Sequence, residues 1–265
     1  MKNYLISICM IAAILSTSCT KQEFTINSRT PEKTPFAQRI LPAGFVVGQK
    51  ADKVQAVDLG LSVKWSDLYL DAENDSTASN ALYAWAEITS KKEFTWGSYE
   101  HNDSKAQASS WDKALFLTKY CFDKYGTKQD IDKAVVLNEK EEYMLDDAAY
   151  IAYGDGYRMP TVAEVEELVS DCTWKYVEVK VKDEQGKEHK YYYYVVTGEN
   201  GNFIKIATDS SKSVEMWTAN QTDGTSPYAY SYIINHKETE KSVTYLTKRP
   251  SERCIGKQIR AVYTK

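Results

Sequence analysis

Histidine is scarce in this 265-residue chain, which has only three, and none of its five cysteines lies in a C-x-x-C pair. Few histidines leave few candidates for acid–base or zinc chemistry near neutral pH. Without C-x-x-C pairs, the spacing of zinc ribbons and dithiol redox sites is missing. Basic residues are also not in excess, with 33 Lys and Arg against 37 Asp and Glu and a net charge of -4. We therefore expect no nucleic-acid partner.

Aromatic residues are abundant, with 20 Tyr, 6 Trp and 7 Phe in a chain that is 43% hydrophobic. Such a composition excludes disordered, low-complexity and collagen-like classes. The length suits one large domain or two small ones with a substantial core.

The first residues have the features of an export signal. Residues 1–18 combine Lys2, an apolar run of about a dozen residues and small residues at the end. That run is shorter than the roughly 20 residues needed to span a bilayer. Small residues directly before Cys19 resemble a bacterial lipobox, which predicts a lipoprotein acylated at Cys19 and held in the outer membrane. Ordinary cleavage is the alternative. Residues 19–50 are then the lipidated N-terminus and a polar tether, in which short apolar pieces such as residues 45–47 could still dock on the domain, and residues 51–265 form the domain.

Three cysteines remain after export and acylation, namely Cys121, Cys172 and Cys254. An odd number allows at most one disulfide and leaves one spare thiol. The sequence leaves open whether any pair is bridged.

Hydrophobic periodicity predicts the first elements of the domain. Alternation over 57–65 indicates a strand, and a second short strand is expected over 81–88. Residues 139–152 have apolar residues at helical spacing with acidic residues first. Thr161 followed by Glu164 is a capping box, so a helix is expected from there to about Ser170.

Later residues alternate with period two and predict a series of antiparallel strands. The first is a long hairpin turning at Gln185-Gly186, and a second turn follows at Asn200-Gly201. Further strands are expected near 203–206, 215–219, 228–234, 242–246 and 258–263. Two helices followed by many antiparallel strands place the chain in the α+β class.

Several motifs in fixed order resemble the Fibrobacter succinogenes major paralogous domain family. They are Val-Asp-Leu-Gly-Leu-Ser-Val-Lys-Trp at 57–65, Tyr-Ala-Trp-Ala-Glu at 83–87, Tyr-Arg-Met-Pro-Thr at 157–161 with Glu164, Cys-Thr-Trp at 172–174, and the Asn-Gly-Asn turn at 200–202. The resemblance implies a C-type-lectin-like fold, in which two helices flank twisted antiparallel sheets and the chain termini lie close together. It implies a fold more firmly than a biochemical role.

The same Arg-Met-Pro-Thr segment is distantly similar to formylglycine-generating enzymes. Those enzymes require two closely spaced thiols to hold copper, whereas Cys254 stands alone here. Arg158 and Glu164 are explained more simply as a scaffold hydrogen bond and a helix cap. Neither a G-x-S-x-G motif nor the calcium-ligand motifs of sugar-binding lectins occurs. We expect a non-enzymatic protein with no metal and no cofactor.

The remaining functional signal is aromatic. Alternation places Tyr228, Tyr230 and Tyr232 on one strand face, next to a polar loop that begins at Asn220. Tyrosine gives large contact area at low entropic cost. Our hypothesis is that these four residues and Trp217 line a surface for a glycan or protein ligand.

Two functions remain open on this basis. One is a membrane-anchored, non-catalytic binding module that recognises a polysaccharide or an envelope or host surface protein. The other is an accessory or structural subunit of a cell-envelope or fimbria-like assembly. The sequence does not distinguish the periplasmic from the surface face of the outer membrane.

Overall fold

The computed structural model describes residues 36–75, 81–103, 116–123, 129–237 and 243–264, with the backbone alone for 236, 237 and 243–246. Cys19 and residues 1–18 lie outside this part of the chain. The described residues form a mixed α+β arrangement with short helices and antiparallel sheets, which confirms the predicted class. The helices are α1 (Glu141–Met144), α2 (Ala148–Tyr153) and α3 (Val162–Asp171). The strands are β1 (Ala56–Val57), β2 (Lys64–Tyr69), β3 (Tyr157–Arg158), β4 (Thr173–Lys182), β5 (Glu188–Thr197), β6 (Phe203–Thr208), β7 (Ser213–Gln221), β8 (Tyr228–Lys237), β9 (Val243–Glu252) and β10 (Arg260–Tyr263).

The strands are arranged in three sheets. One has the order β1-β2-β10-β3, the second β4-β5-β6 and the third β7-β8-β9. Within the first sheet, the early strand β2 pairs antiparallel with the final strand β10, so that Val262 lies opposite Trp65. The two ends of the described domain are therefore joined through one ladder.

The prediction of one continuous strand over 57–65 is wrong for the centre of that segment. The chain leaves β1 at Val57 and re-enters β2 at Lys64, and the residues between them turn. The Asp58 side chain accepts a hydrogen bond from the Gly60 amide at 2.8 Å, and Gly60 has a φ of +79°. An Asx turn completed by a glycine in the left-handed region competes here with the strand.

The strand expected over 81–88 is also wrong. Tyr83 forms a single antiparallel bridge with Lys257, and the described chain then turns, with Ala86 at a φ of +65°. Trp85 is fully buried, and its indole N–H donates to the Thr218 carbonyl oxygen at 3.0 Å. The apolar residues of this segment are buried because they fill the core, without any ladder.

The single helix expected over 139–152 is divided into α1 and α2. Asp147 causes the division, because its side chain accepts from the Ala149 and Tyr150 amides as the N-cap of α2. The same carboxylate accepts from the Met159 amide at 2.8 Å. A helix cap in the middle of the apolar pattern restarts the helix and turns Asp146 into the core.

The local signals further along the chain are confirmed. Thr161 and Glu164 form the reciprocal capping box at the start of α3. The Arg158 guanidinium donates to both Glu164 oxygens at 2.8 and 2.5 Å, which confirms their structural role. The β4–β5 hairpin and the β6 strand lie where the turn residues predicted them.

Strand β7 lies between two clusters of buried side chains. Trp217 and Ala219 belong to a cluster that contains Trp85 and Tyr120. Val214 and Met216, which point the other way, belong to a cluster around Trp65. Gly198 shows how close the packing is, because a Cβ there would lie 1.9 Å from the Leu59 carbonyl oxygen. Over the described residues, no helix has the length and apolar character to cross a membrane.

Candidate functional site

Trp217 and Tyr232, two of the five predicted ligand residues, are buried. Trp217 is 0% exposed and donates its indole N–H to the Tyr83 carbonyl oxygen at 2.8 Å. Tyr232 is 1% exposed and its hydroxyl donates to Glu166 at 2.5 Å. Neither side chain offers surface to a ligand, because each packs into one of the two core clusters. This corrects their assignment to a binding surface.

The other three predicted residues occupy different environments. The Asn220 side-chain oxygen accepts from the Val162 amide at 2.9 Å, so it satisfies a donor in the first turn of α3. Tyr228 and Tyr230 are half-buried on β8, and the Lys248 ammonium lies 5.0 Å from the centre of the Tyr230 ring. The structure leaves Tyr228 and Tyr230 accessible in part, and their role in binding stays a prediction.

A second aromatic surface lies on the β4–β5 hairpin. Asn74, Val179, Val181, Tyr191 and Tyr193 line a groove of about 310 Å³, which we call the tyrosine groove. Val181 is 45% exposed at its edge. The volume of the tyrosine groove lies near the lower end of the roughly 300–1,000 Å³ that is usual for small-ligand sites.

Strand register explains how the hairpin forms this groove. Val179 lies directly opposite Tyr191, and Tyr193 lies one pair further along on the same face. The opposite face of the same strands carries Trp174 and Tyr194, which are buried in the core. With one face buried, the alternation of the strand leaves the second face in solvent.

A loop closes one side of the tyrosine groove. Asn74 in this loop lines the groove. The carboxylate of the next residue, Asp75, forms an ion pair with Lys205 on β6 at 3.0 Å. The Lys205 ammonium also lies 5.4 Å from the centre of the Tyr193 ring. Aromatic rings, an amide and an ion pair therefore share one shallow surface.

Tyr191–Tyr194 were given no binding role from the sequence alone. The signal that could have found the groove is the run of four tyrosines in one strand, which must divide between two faces. Valines at 177, 179 and 181 alternate with charged residues on the partner strand and mark the face that two of the tyrosines share.

A cluster of charged groups is buried elsewhere in the domain around Asp146. This side chain is 0% exposed and accepts from the Lys119 ammonium, from the Tyr120 hydroxyl at 2.5 Å and from the Arg39 guanidinium at 2.6 Å. Burial raises the pKa of Asp146, but His101, Lys119 and Arg39 outweigh it and hold that pKa below its ordinary value. The carboxylate is ionised and fully paired.

His101 lies at the edge of this cluster. Its Nε2 is 2.9 Å from the Ala86 carbonyl oxygen and 4.0 Å from Asp146. Burial lowers the pKa of His101 to about 4, more than the nearby Asp146 carboxylate raises it. His101 is therefore neutral at pH 7, and the neutral ring donates to the Ala86 carbonyl.

We expect acid to destabilise the protein through His101. In the unfolded chain this histidine has its ordinary pKa of 6.5, so below that pH the unfolded state binds the extra proton. The stability contribution is complete above pH 6.5 and is lost as the pH falls towards 4, by about 3 kcal/mol. Urea unfolding from pH 4 to 7 should show this loss relative to His101→Gln. Parallel curves for the two proteins would contradict it.

Metal binding and thiol reactivity depend on how the side chains of the described segments are arranged. No group of three or more His, Cys, Asp or Glu residues there is placed to hold a metal ion. Cys172 and Cys254 carry free thiols, and burial raises their pKa to about 11 and about 12. Thiols with raised pKa values are poor nucleophiles near neutral pH. The Cys121 thiol is buried and donates to the Leu117 carbonyl oxygen.

Comparison with known proteins adds no assignment. No protein-family model, no curated protein and no solved structure matches this chain.

Proposed function

We propose that this protein is an exported lipoprotein, anchored in the outer membrane through acyl chains on Cys19, whose domain binds a polysaccharide without catalysis. The observation that carries the ligand proposal is the tyrosine groove, a partly exposed aromatic and apolar surface on the β4–β5 hairpin. Clefts lined by aromatic and apolar side chains with a few polar groups are the usual form of a ligand site.

Sugar rings have properties that match the groove. Their C–H faces pack on aromatic rings, while their hydroxyl groups need hydrogen-bonding partners at the rim. Tyr191 and Tyr193 supply rings with hydroxyl groups, and Asn74 supplies an amide. The groove is open and shallow, as a binding site for an extended chain requires.

A C-type-lectin-like fold of the Fibrobacter succinogenes major paralogous type is part of this proposal. The pairing of β2 with β10, which joins the start and end of the domain, supports it. So do the capping box of α3 and the long hairpin that follows it.

The test is binding of residues 20–265, which include every described residue, to a panel of immobilised plant, host and bacterial polysaccharides. We expect Tyr191→Ala with Tyr193→Ala to weaken binding about 10- to 100-fold, because each lost ring contact is worth about 0.5–1.5 kcal/mol. Calorimetry on the best ligand gives the affinities.

Tyr192→Ala is the matched control, because Tyr192 lies on the same strand but faces Tyr176 on the opposite side. Binding that the control retains and the double variant loses would support the groove. Loss of binding with Tyr230→Ala alone would place the site on β8, as the sequence first suggested. A folded protein that binds no polysaccharide would contradict the proposal and favour a protein ligand or an envelope-assembly role.

A further inference from the structure

Two side chains near the start of the expected tether, Phe36 and Arg39, contact the domain. The Phe36 ring packs against Tyr143 and Tyr120, with ring centres 5.0 and 5.5 Å apart. Arg39 is 10% exposed and reaches the buried charge cluster. We call Phe36–Arg39 the latch, and we call the residues that receive it the latch site: Glu100, Lys119, Tyr120, Tyr143 and Asp146.

Arg39 makes a dense set of contacts in the latch site. Its guanidinium donates to both oxygens of Glu100 at 2.6 and 3.1 Å, to Asp146 at 2.6 Å and to the Ala86 carbonyl oxygen at 3.1 Å. A bidentate arginine–carboxylate pair is among the stronger and more specific polar contacts in proteins. The latch site therefore recognises an arginine at this position.

The latch site is also held by contacts that do not involve the latch. Asp146 accepts from the Lys119 ammonium and the Tyr120 hydroxyl as well as from Arg39. The Glu100 backbone amide donates to Glu87 at 2.7 Å, which holds that segment in place. A preformed site loses little conformational entropy when it binds its ligand.

The latch, by contrast, is held by few other contacts. Among the described residues, backbone hydrogen bonds from this segment to the rest of the domain begin only at Gly48, which donates to the Ile151 carbonyl oxygen. Between Arg39 and Gly48, the side chains of Ile40 and Val46 are 93% and 57% exposed. Gly44 has a φ of +83° in an open turn where the segment can bend. Release of Phe36 and Arg39 would therefore break no backbone–backbone hydrogen bond to the rest of the described domain.

We propose that the latch site is an exchangeable peptide-binding site for an aromatic residue followed three positions later by arginine. The chain's own Phe36–Arg39 is its resident ligand. In an anchored chain, opening the latch would add residues 36–47 to the tether, which extends the reach of the domain by at most about 40 Å when this segment is fully extended. This inference is independent of the ligand proposed for the tyrosine groove.

Competition between the latch and a free peptide tests the proposal. The probe is a fluorescent peptide with the sequence of residues 34–43, and its binding is followed by fluorescence polarisation. A tethered ligand competes at an effective concentration on the order of 1 mM. We therefore expect a Phe36→Ala, Arg39→Gln chain to bind the peptide at least tenfold more tightly than the unaltered chain.

Two controls make the result specific. In the opened chain, Glu100→Gln should weaken peptide binding at least tenfold, since it removes the bidentate partner of arginine. Glu142→Gln changes the same charge beside Tyr143 but should have no effect, because Glu142 pairs with Lys140. Equal affinity in opened and unaltered chains, or no binding to a folded opened chain, would overturn the proposal.

Limited proteolysis tests the latch in the unaltered chain, so the result does not depend on whether a substituted chain folds. We expect trypsin to cut after Arg39 while Arg253 and Arg260, 0% and 1% exposed, stay uncut. Mass spectrometry of the fragments gives the order of cleavage. Cleavage after Arg39 no faster than at the two buried arginines would show that the latch opens only when the domain unfolds.

Discussion

Asparagine in place of Asp146 is expected to lower the free energy of unfolding by about 3–5 kcal/mol. The carboxylate is fully buried and compensates Lys119 and Arg39 together. Asparagine keeps the size of the side chain but removes the charge, which leaves the buried Lys119 ammonium without its anionic partner. Leaving one buried charge unpaired costs more than the ion pair contributes when intact.

Urea unfolding followed by tryptophan fluorescence measures this loss. The matched control is Asp183→Asn, which removes a partly exposed carboxylate that pairs with His189 on the hairpin and should lower the midpoint far less. A loss below about 1 kcal/mol for the Asp146 variant would mean that the buried cluster contributes little to stability. Since single domains are stable by only about 5–15 kcal/mol, the expected loss is a large fraction of the total.

Alanine in place of Trp217 should cost about 3–5 kcal/mol, because it leaves a large cavity beside Trp85. It also removes the donor to the Tyr83 carbonyl oxygen and the ring face that lies 5.2 Å from the Lys257 ammonium. Urea unfolding gives the free energy, and the near-ultraviolet dichroism spectrum reports the packing of the remaining aromatic rings.

The matched control for Trp217 is Tyr230→Ala, which removes a half-buried ring from the neighbouring strand. We expect its loss to be smaller, since its ring is partly in water in the folded protein. If the two variants lose the same stability, the burial of Trp217 is not the source of its effect. Because the Trp217 side chain is buried, loss of ligand binding in a Trp217 variant would reflect impaired folding and not a lost ligand contact. Tyr191 and Tyr193 are therefore the better positions for binding tests.

Signals contained within a few residues predicted their elements well. The Thr161–Glu164 capping box starts α3, and the turns at Gln185-Gly186 and Asn200-Gly201 join the strands of one sheet. Each depends on hydrogen bonds and backbone angles that neighbouring residues decide among themselves. Errors arose where a second local signal interrupted the pattern, as the Asp147 cap did in the helix expected over 139–152.

Alternation in the strands correctly paired residues onto faces but did not say which face is buried. Tyr230 and Tyr232 share a face of β8, yet only Tyr232 is fully buried, because α3 supplies Glu166 over its hydroxyl. Burial depends on which other elements pack against a strand, and that is a property of the whole chain. The accessible tyrosines of the hairpin were overlooked for the same reason.

Short stretches of this sequence thus determine the class of fold, the boundaries of the hairpins and the residues that share each strand face. They do not determine the buried cluster and the latch, because Arg39 and Asp146 are 107 positions apart and meet only in the folded chain. No spacing rule connects residues at that distance. Tertiary packing alone decided that Trp217 supports the core, that Tyr191 and Tyr193 stay partly exposed, and that Phe36 and Arg39 of the expected tether bind the domain. Each outcome depends on which distant surfaces cover one another.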